Sequence, residues 1–442
     1  MNKNSVMAWS MVVALGGFLF GFDTAVISGA EKAIQQYWHL SVFEHGITIS
    51  IALIGTVFGS LFGSRPSDQF GRKKTLYFVA VAYLLASLGT ALTHSWIFFL
   101  LFRFLGGLGV GASSVTAPIY ISEVSPAEKR GRLVGLFQFN VVLGILVSYL
   151  SNYLISQLGD ASWRLMLGVQ ALPSLVFLSL IYFIPESPRW LILKRGDTET
   201  AYSILKIIDP VNADQELIAI KNSGSLNADK SDSTLFSMRY KTPVLLAIVF
   251  AVFNQVSGIN AIIYYAPRIF EMAGLGAHSS LLSTVGIGAI NFIFTLLGIN
   301  IIDKVGRRIL MLVGSVGLIV SLLLVSFTFY SGSFSGFSIP VYMMIFIAFF
   351  AFSQGAVIWV FISEIFPNQV RAKGQTLGSS THWIMASLIA FFFPYLAEKV
   401  GGGATFCFFG VMMILQLFFV LRFMPETKGK SLEQIGSTFN IH

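Results

Sequence analysis

The sequence predicts an all-α integral membrane protein: twelve transmembrane helices in two six-helix bundles related by pseudo-symmetry. Three observations lead there. Only 11% of the 442 residues are charged, while 55% are hydrophobic and 14% aromatic, against about 25% charged in a soluble globular domain. Mean hydropathy is +0.75, and long runs hold no Asp, Glu, Lys or Arg at all. Short motifs of the first half recur at a nearly constant offset in the second. An ordinary cytosolic enzyme and a disordered chain are both excluded by these figures.

Each span follows from cutting the chain at its charged connectors, since crossing a hydrocarbon core of roughly 30 Å takes about 20 apolar residues. The cuts give segments near 5–30, 46–64, 75–93, 95–119, 133–159, 165–185, 242–267, 279–302, 309–330, 339–363, 374–397 and 400–421. Residues 309–363 lack any acidic or basic residue, a run too long for one span. The Ser331-Gly332-Ser333-Phe334-Ser335-Gly336 turn divides it. A cleaved signal peptide is not expected, because the first span is long, carries Asp23 at its centre and lacks a basic leader.

Topology follows from the basic residues. With both termini in the cytoplasm, 24 of the 29 Lys and Arg fall on the cytoplasmic side, Lys32, Arg164, Arg268 and Lys399 lie outside, and Arg103 is buried. The net charge of +8 is therefore read as membrane orientation, with the lipid bilayer as partner and no nucleic acid. Residues 186–241 form the one long connector and carry eight basic and eight acidic residues, with a helical pattern over Glu199 to Ile208. The expected organisation is an amino-terminal bundle over 1–185, a cytoplasmic helical linker over 186–241, a carboxy-terminal bundle over 242–424 and a tail over 425–442. Cys407 is the single cysteine, so neither an intrachain disulfide nor a multi-cysteine metal site is available.

The repeat supports the two halves. Asp68-Gln-Phe-Gly71-Arg72-Lys73 recurs as Asp303-Lys-Val-Gly306-Arg307-Arg308 at an offset of 235. Ser122-Glu123 with Pro126 and Arg130 recurs as Ser363-Glu364 with Pro367 and Arg371, offset 241, and Pro185-Glu186 recurs as Pro425-Glu426, offset 240. All three pairs sit at equivalent cytoplasmic edges, as expected for repeats that rock against each other.

Asp23 and Arg103 are the only acidic or basic residues deep within the predicted spans. An ionisable group there is expensive and is usually paired or part of an ion path. Two readings stay open: a permanent ion pair orienting the first and fourth spans, or a proton-coupling site whose proton affinity changes with the pair's separation. In the fourth span, Gly107 and Gly111 form a small-xxx-small face and are expected to pack closely against a neighbouring helix. No nucleophile–base pair, metal-ligand cluster or phosphate-binding Gly-Lys-Ser/Thr loop is present, so no enzyme activity, metal or cofactor is expected.

Taken in order, these motifs resemble the sugar porter family of the major facilitator superfamily, which holds proton-coupled xylose and glucose symporters and facilitative hexose transporters. The resemblance spans Gly21 to Gly29, Asp68 to Lys73, Arg103 to Gly111, Ser122 to Arg132, Pro185 to Trp190, Gln255 to Asn260, Asp303 to Arg308, Ser363 to Pro367 and Pro425 to Gly429. It implies alternating access with a carbohydrate bound between the halves. Proton-coupled members carry Asp at the position of Asp23, which implies import of a monosaccharide, pentose or hexose, with a proton as the coupling ion. A prokaryotic plasma membrane and a functional monomer are expected. The alternatives are a facilitative sugar uniporter, with Asp23 and Arg103 a fixed pair, and a non-transporting sugar sensor on the same scaffold.

The resemblance also implies sugar contacts at Gln138, Gln255, Asn260, Asn291 and Trp359, with Tyr264 and Phe20 lining or gating the cavity. Amides that both donate and accept, with an aromatic plate, suit sugar hydroxyls and C–H faces. This sequence departs from the family at Asn254, one methylene shorter than the xylose symporter's Gln, and at His382, which replaces an amide. Asn260 and Tyr264 share a helix face, but Gln255 lies about 140° away from Asn260 on an ideal helix. The two can meet only if the seventh span is distorted, and Gly258 permits that. At the cytoplasmic edges, Asp68 with Arg72 and Glu123 with Arg130 are expected to form a latch, as are Asp303 with Arg307 and Glu364 with Arg371, joined by Glu186 and Glu426.

Overall fold

The computed structural model describes residues 3–159, 162–226, 235–332, 334, 336–367 and 370–429. Among the described residues all regular elements are helical, and twelve helices are long and apolar enough to cross a membrane. They are Ser5–Tyr37, Val42–Phe62, Arg72–Leu92, Trp96–Glu123, Arg130–Leu158, Ser162–Ile181, Met238–Met272, Ala277–Val305, Arg307–Ser331, Ser338–Ile365, Arg371–Val400 and Gly402–Phe423. The ninth and tenth separate where expected, at Gly332 and Gly336, both with positive φ; Ser333 and Ser335 of that turn lie outside the described residues.

The largest shift of a single span end from the sequence reading is in the first span, which runs seven residues past its expected end at 30, to Tyr37. Glu31 and Lys32 look like a water-facing terminus in the sequence. In the structure Glu31 is 1% exposed and ion-paired, so the helix continues through it. Three spans are broken near their middles, the sixth between Gly168 and Ala171. In the seventh, helix ends at Val256 and restarts at Ile259 across Gly258, whose φ of 88° is left-handed. In the tenth, Ser353 separates Ser338–Phe352 from Gln354–Ile365. Interrupted helices at membrane depth free backbone and re-aim side chains, and transporters use them at ligand sites.

Packing gathers the chain into two compact units. One comprises Met1–Thr24, Ile54–Ser148 and Leu167–Asp232. Its second and fourth spans cross closely, because a Cβ on Gly111 would collide with the Thr56 carbonyl and one on Gly59 would sit 3.0 Å from the Gly111 Cα. The expected small-residue face is therefore a helix-packing surface. The other unit comprises Ala25–Leu53, Tyr149–Met166 and Ser233–His442. Within it the end of the fifth span bonds the first, through Asn152 to the Val26 carbonyl (3.0 Å), and the seventh, through Tyr149 to the Ile263 carbonyl (2.8 Å).

The connector is helical as predicted: Thr198–Ile208 is capped by Asp197, which accepts from the Thr200 amide, and it buries Ala201, Ile204, Leu205 and Ile208 at helical spacing. Ala213–Leu226 follows. Residues 227–234 of the connector and 430–442 of the tail lie outside the described residues.

Candidate functional site

In the first unit Asp23 and Arg103 meet, with Arg103 Nη1 donating to Asp23 Oδ1 at 3.0 Å and both side chains at least 95% buried. One hydrogen bond joins them. Arg103 Nε and Nη2 are buried without a partner among the described residues. A Cβ on Gly106 would lie 3.5 Å from Asp23 Oδ1, so this glycine lies directly against the carboxylate. Arg103 thus spends one of its five N–H donors on this carboxylate.

Gln138 and Phe20 belong to the same unit. Both are half-buried, and Phe20 lies 6.5 Å from the Phe137 ring.

In the second unit the broken seventh span produces the geometry that an ideal helix forbids. Asn260 Nδ2 donates to Gln255 Oε1 directly. Gln255 Nε2 in turn donates to Asn254 Oδ1 at 2.9 Å and lies 3.2 Å from both ring nitrogens of His382. Trp359, from the restarted half of the tenth span, faces the His382 ring at 4.8 Å and remains 38% exposed. Asn254, Gln255, Asn260, His382 and Trp359 therefore form one connected group of amides, an imidazole and an aromatic plate. Asn291 is half-buried and accepts from Thr295 at 3.4 Å, and Tyr264 is buried one turn beyond Asn260. A buried Gln354–Gln416 amide pair (2.7 Å) supports the group from behind, with the Gln354 carbonyl accepting from Asn254 at 3.5 Å.

The repeated motifs build one network twice. Arg72 donates from Nε and Nη2 to the two oxygens of Glu123 (3.0 and 3.2 Å) and from Nη1 to Asp68 (3.0 Å). Arg307 does the same to Glu364 (3.3 and 2.9 Å) and Asp303 (2.8 Å). Gly71 and Gly306 take the same conformation, φ 97° and 103°, immediately before a helix. That turn exposes the first amides of the helix, onto which Glu186 and Glu426 dock: Arg72 N to Glu186 at 2.9 Å, Arg307 N and Arg308 N to Glu426 at 3.0 Å. Burial pushes the Glu186 carboxyl above the usual range despite its amide bonds. At Glu426 burial also acts upward, but the amides of Lys428, Arg307, Arg308 and Thr427 outweigh it and hold the carboxyl below that range.

Two expected pairings differ. Arg130 donates to the Ser122 carbonyl (3.0 Å) and Arg371 to the Phe366 carbonyl (3.3 Å), while Glu123 and Glu364 are taken by Arg72 and Arg307. Each arginine opens a helix directly after the turn that ends the previous one, so its guanidinium meets the carbonyls leaving that preceding helix before it reaches the glutamate.

One cluster was missed from sequence. Glu31, His45 and Arg268 meet within the second unit, His45 Nε2 lying 2.8 Å from Glu31 Oε2 and Arg268 Nε donating to Glu31 Oε1 at 2.9 Å. The sequence places Arg268 outside and ends the first span near residue 30, just before Glu31. The available signal was a glutamate and a histidine flanking a connector too short to keep either in water.

Comparison with known proteins agrees with this architecture. The family described as "Sugar (and other) transporter" matches residues 9–439. The arabinose-proton symporter of Bacillus subtilis (strain 168) is 38% identical over 437 residues, covering 97% of this chain and 94% of that protein. The inward-open structure of the xylose transporter XylE from E. coli superposes with a TM-score of 0.87 at 32% identity, over 98% of this chain and 99% of that one. XylE bound to 6-bromo-6-deoxy-D-glucose, described as a major facilitator superfamily proton:xylose symporter, gives 0.81 at 33% identity over 99% and 100%. The fold is that of the major facilitator superfamily, and over nearly its whole length the chain belongs to the family of sugar (and other) transporters.

Proposed function

We propose that the protein is a multi-pass transporter of a bacterial inner membrane that imports a monosaccharide, pentose or hexose, together with a proton by alternating access. The observation that carries this reading is the buried Asp23–Arg103 pair, a carboxylate at membrane depth held by a single hydrogen bond. Protonation of Asp23 discharges it and frees Arg103; deprotonation restores the pair. A conformational equilibrium that separates the two groups therefore takes up a proton, and one that joins them releases it. The names of the relatives, an arabinose-proton symporter and a proton:xylose symporter, support both the cargo and the coupling ion.

In this reading Asn254, Gln255, Asn260, Asn291 and His382 supply hydrogen bonds to sugar hydroxyls and Trp359 covers a C–H face, with Tyr264, Gln138 and Phe20 contributing to the cavity. The termini face the cytoplasm, so the Arg72 and Arg307 networks are cytoplasmic latches that break when the inner mouth opens. The proton is the only coupling agent, the sugar is moved without covalent change, and one chain carries the complete set of groups.

Counterflow uptake into proteoliposomes across a sugar panel, with and without an imposed pH gradient, tests it. One monosaccharide is expected to exchange without a gradient and to accumulate with one. Exchange without gradient-driven accumulation would overturn symport in favour of facilitated diffusion, and no exchange of any sugar would overturn the transport reading.

A further inference from the structure

Glu31, His45 and Arg268 take no part in the coupling and binding roles above, yet Glu31 and His45 are 1% and 0% exposed. The three residues come from the first, second and seventh spans. Glu31 gives one carboxylate oxygen to each partner, and Arg268 Nη2 donates in addition to the Gln35 amide oxygen. Because a carboxylate faces His45 Nε2, that nitrogen carries the proton, which leaves Nδ1 as the basic atom. Nδ1 is buried and has no partner among the described residues.

Charge counting then restricts the states open to this group. One carboxylate, one guanidinium and a neutral ring balance. A proton on Nδ1 while Arg268 is in place would add a second cation to a buried site with a single anion, and a partnerless N–H as well. If Arg268 leaves with the seventh span, Glu31 becomes a lone buried carboxylate, and an imidazolium at His45 is the group in contact that neutralises it. Arg268 and a proton are thus mutually exclusive counter-charges for Glu31.

The other ionisable groups facing this site are already committed. Lys32 pairs with Glu271. Glu44 accepts from the Ser41 amide and hydroxyl at 2.8 and 2.7 Å. Tyr265 sets its ring edge-on to His45 at 6.2 Å and gives its hydroxyl to the Ala390 carbonyl (2.8 Å), while Tyr149 of the fifth span bonds the Ile263 carbonyl. The eleventh span contributes Phe391, packed at Gly46, and its Glu398 and Lys399 pair with each other (3.6 Å).

We propose that Glu31 and His45 form a second proton site, at the end of the spans opposite the Arg307 network, in which a proton on His45 Nδ1 replaces Arg268 when the seventh span parts from the first and second. The parting itself rests on the alternating-access reading, which also makes this the external end. The proton is added from the external solution and returns there when Arg268 closes, so it shifts the pH dependence of opening and leaves the proton-to-sugar ratio unchanged. Acid external pH favours the parted state, alkaline pH the latched one.

Hydrogen exchange of the full-length purified protein tests this without sugar or gradient, so it fails independently of the transport reading. Backbone exchange over residues 28–48 and 262–275, corrected for intrinsic rates, is compared at about pH 8 and about pH 6. In the wild type, exchange in both segments is expected to rise at least about threefold on acidification, a fraction of the tenfold change in proton activity per pH unit. His45→Gln keeps a donor to Glu31 but cannot be protonated, and is expected to stay protected at both pH values. Glu31→Gln removes the anion, and is expected to exchange fast at both. Either variant suffices if the other does not fold. A wild type without a pH response, or a His45→Gln or Glu31→Gln protein that responds like the wild type, would overturn the proposal.

Discussion

Substituting Gly258 by alanine tests whether the break in the seventh span builds the amide group. Two costs can be read from the structure. A non-glycine residue in the left-handed region costs about 1–2 kcal/mol. The added Cβ would also lie 2.6 Å from Phe409 Cδ2 and 2.9 Å from Cε2. Phe409 is 1% exposed and packed against Phe406 and Phe408, so its ring cannot swing away freely, and overpacking of this kind costs about 1–3 kcal/mol. The sum, about 2–5 kcal/mol, is relieved if residue 258 turns helical, but Asn260 then rotates about 140° away from Gln255. Losing one buried hydrogen bond to the sugar costs about 1–3 kcal/mol, or roughly a tenfold to hundredfold weaker Kd. Gly274 is the control: its φ is 86° but nothing lies within 4 Å of its Cβ. Gly274→Ala carries the backbone cost alone and should leave Kd unchanged. The assays are thermal unfolding and sugar titration of both purified variants. A Gly258→Ala protein with wild-type Tm and Kd, or a Gly274→Ala protein weakened as much, would refute the reasoning.

Asp23→Asn is expected to abolish proton-driven accumulation while counterflow exchange persists; accumulation against a gradient by the variant would show that coupling lies elsewhere. Gln255→Ala and Trp359→Ala should each weaken sugar binding by about 1–3 kcal/mol, the first through lost buried hydrogen bonds and the second through lost stacking; unchanged calorimetric affinity in both would move the site. Glu186 and Glu426 should show opposite pH behaviour. The Glu426 carboxyl is lowered, so its charge stabilises the fold above the ordinary carboxylate range and that contribution is lost as pH falls through its folded value. The Glu186 carboxyl is raised, so the folded protein holds its proton more tightly and loses stability as pH rises through that value. From about pH 4 to about pH 7, the Tm gap between wild type and Glu426→Gln should widen, while that between wild type and Glu186→Gln should narrow or reverse. Parallel slopes would contradict the assigned difference in environment.

Features that depend on local chemistry were legible in the sequence. Span number followed from charge spacing, and the repeated Asp-x-x-Gly-Arg motif announced a network built twice. Gly258 marked the one place where Gln255 and Asn260 could be reconciled on one ligand. Features that depend on which helix arrives opposite were not legible. A span cut at charged residues ends near 30 and leaves Glu31 beyond it, and only the arrival of Arg268 and His45 makes its burial tolerable. Glu123 was matched to Arg130, seven residues away, whereas the fold delivers Arg72 from another span.

The hydrogen bonds held by each arginine separate the groups that can switch by a proton from those that need a larger motion. The Arg72 guanidinium donates to the Ser67 carbonyl, Asp68 and both oxygens of Glu123, and Arg307 donates equivalently to the Ile302 carbonyl, Asp303 and Glu364. Protonating any one carboxylate in these networks leaves the others in place, so a single proton cannot open them. Arg103 holds Asp23 by one bond, with two of its nitrogens unbonded among the described residues, so in the proposed coupling one proton on Asp23 discharges the single carboxylate it holds. Among the Arg72, Arg103 and Arg307 sites, the proposed coupling role therefore falls on the sparsely bonded pair, while the two densely bonded networks respond only when helices move. If that division is right, Arg72→Lys, which keeps the charge but loses the forked contact to Glu123, should alter the rate of transport and leave the proton dependence of accumulation intact; a changed proton-to-sugar ratio in Arg72→Lys proteoliposomes would break the division.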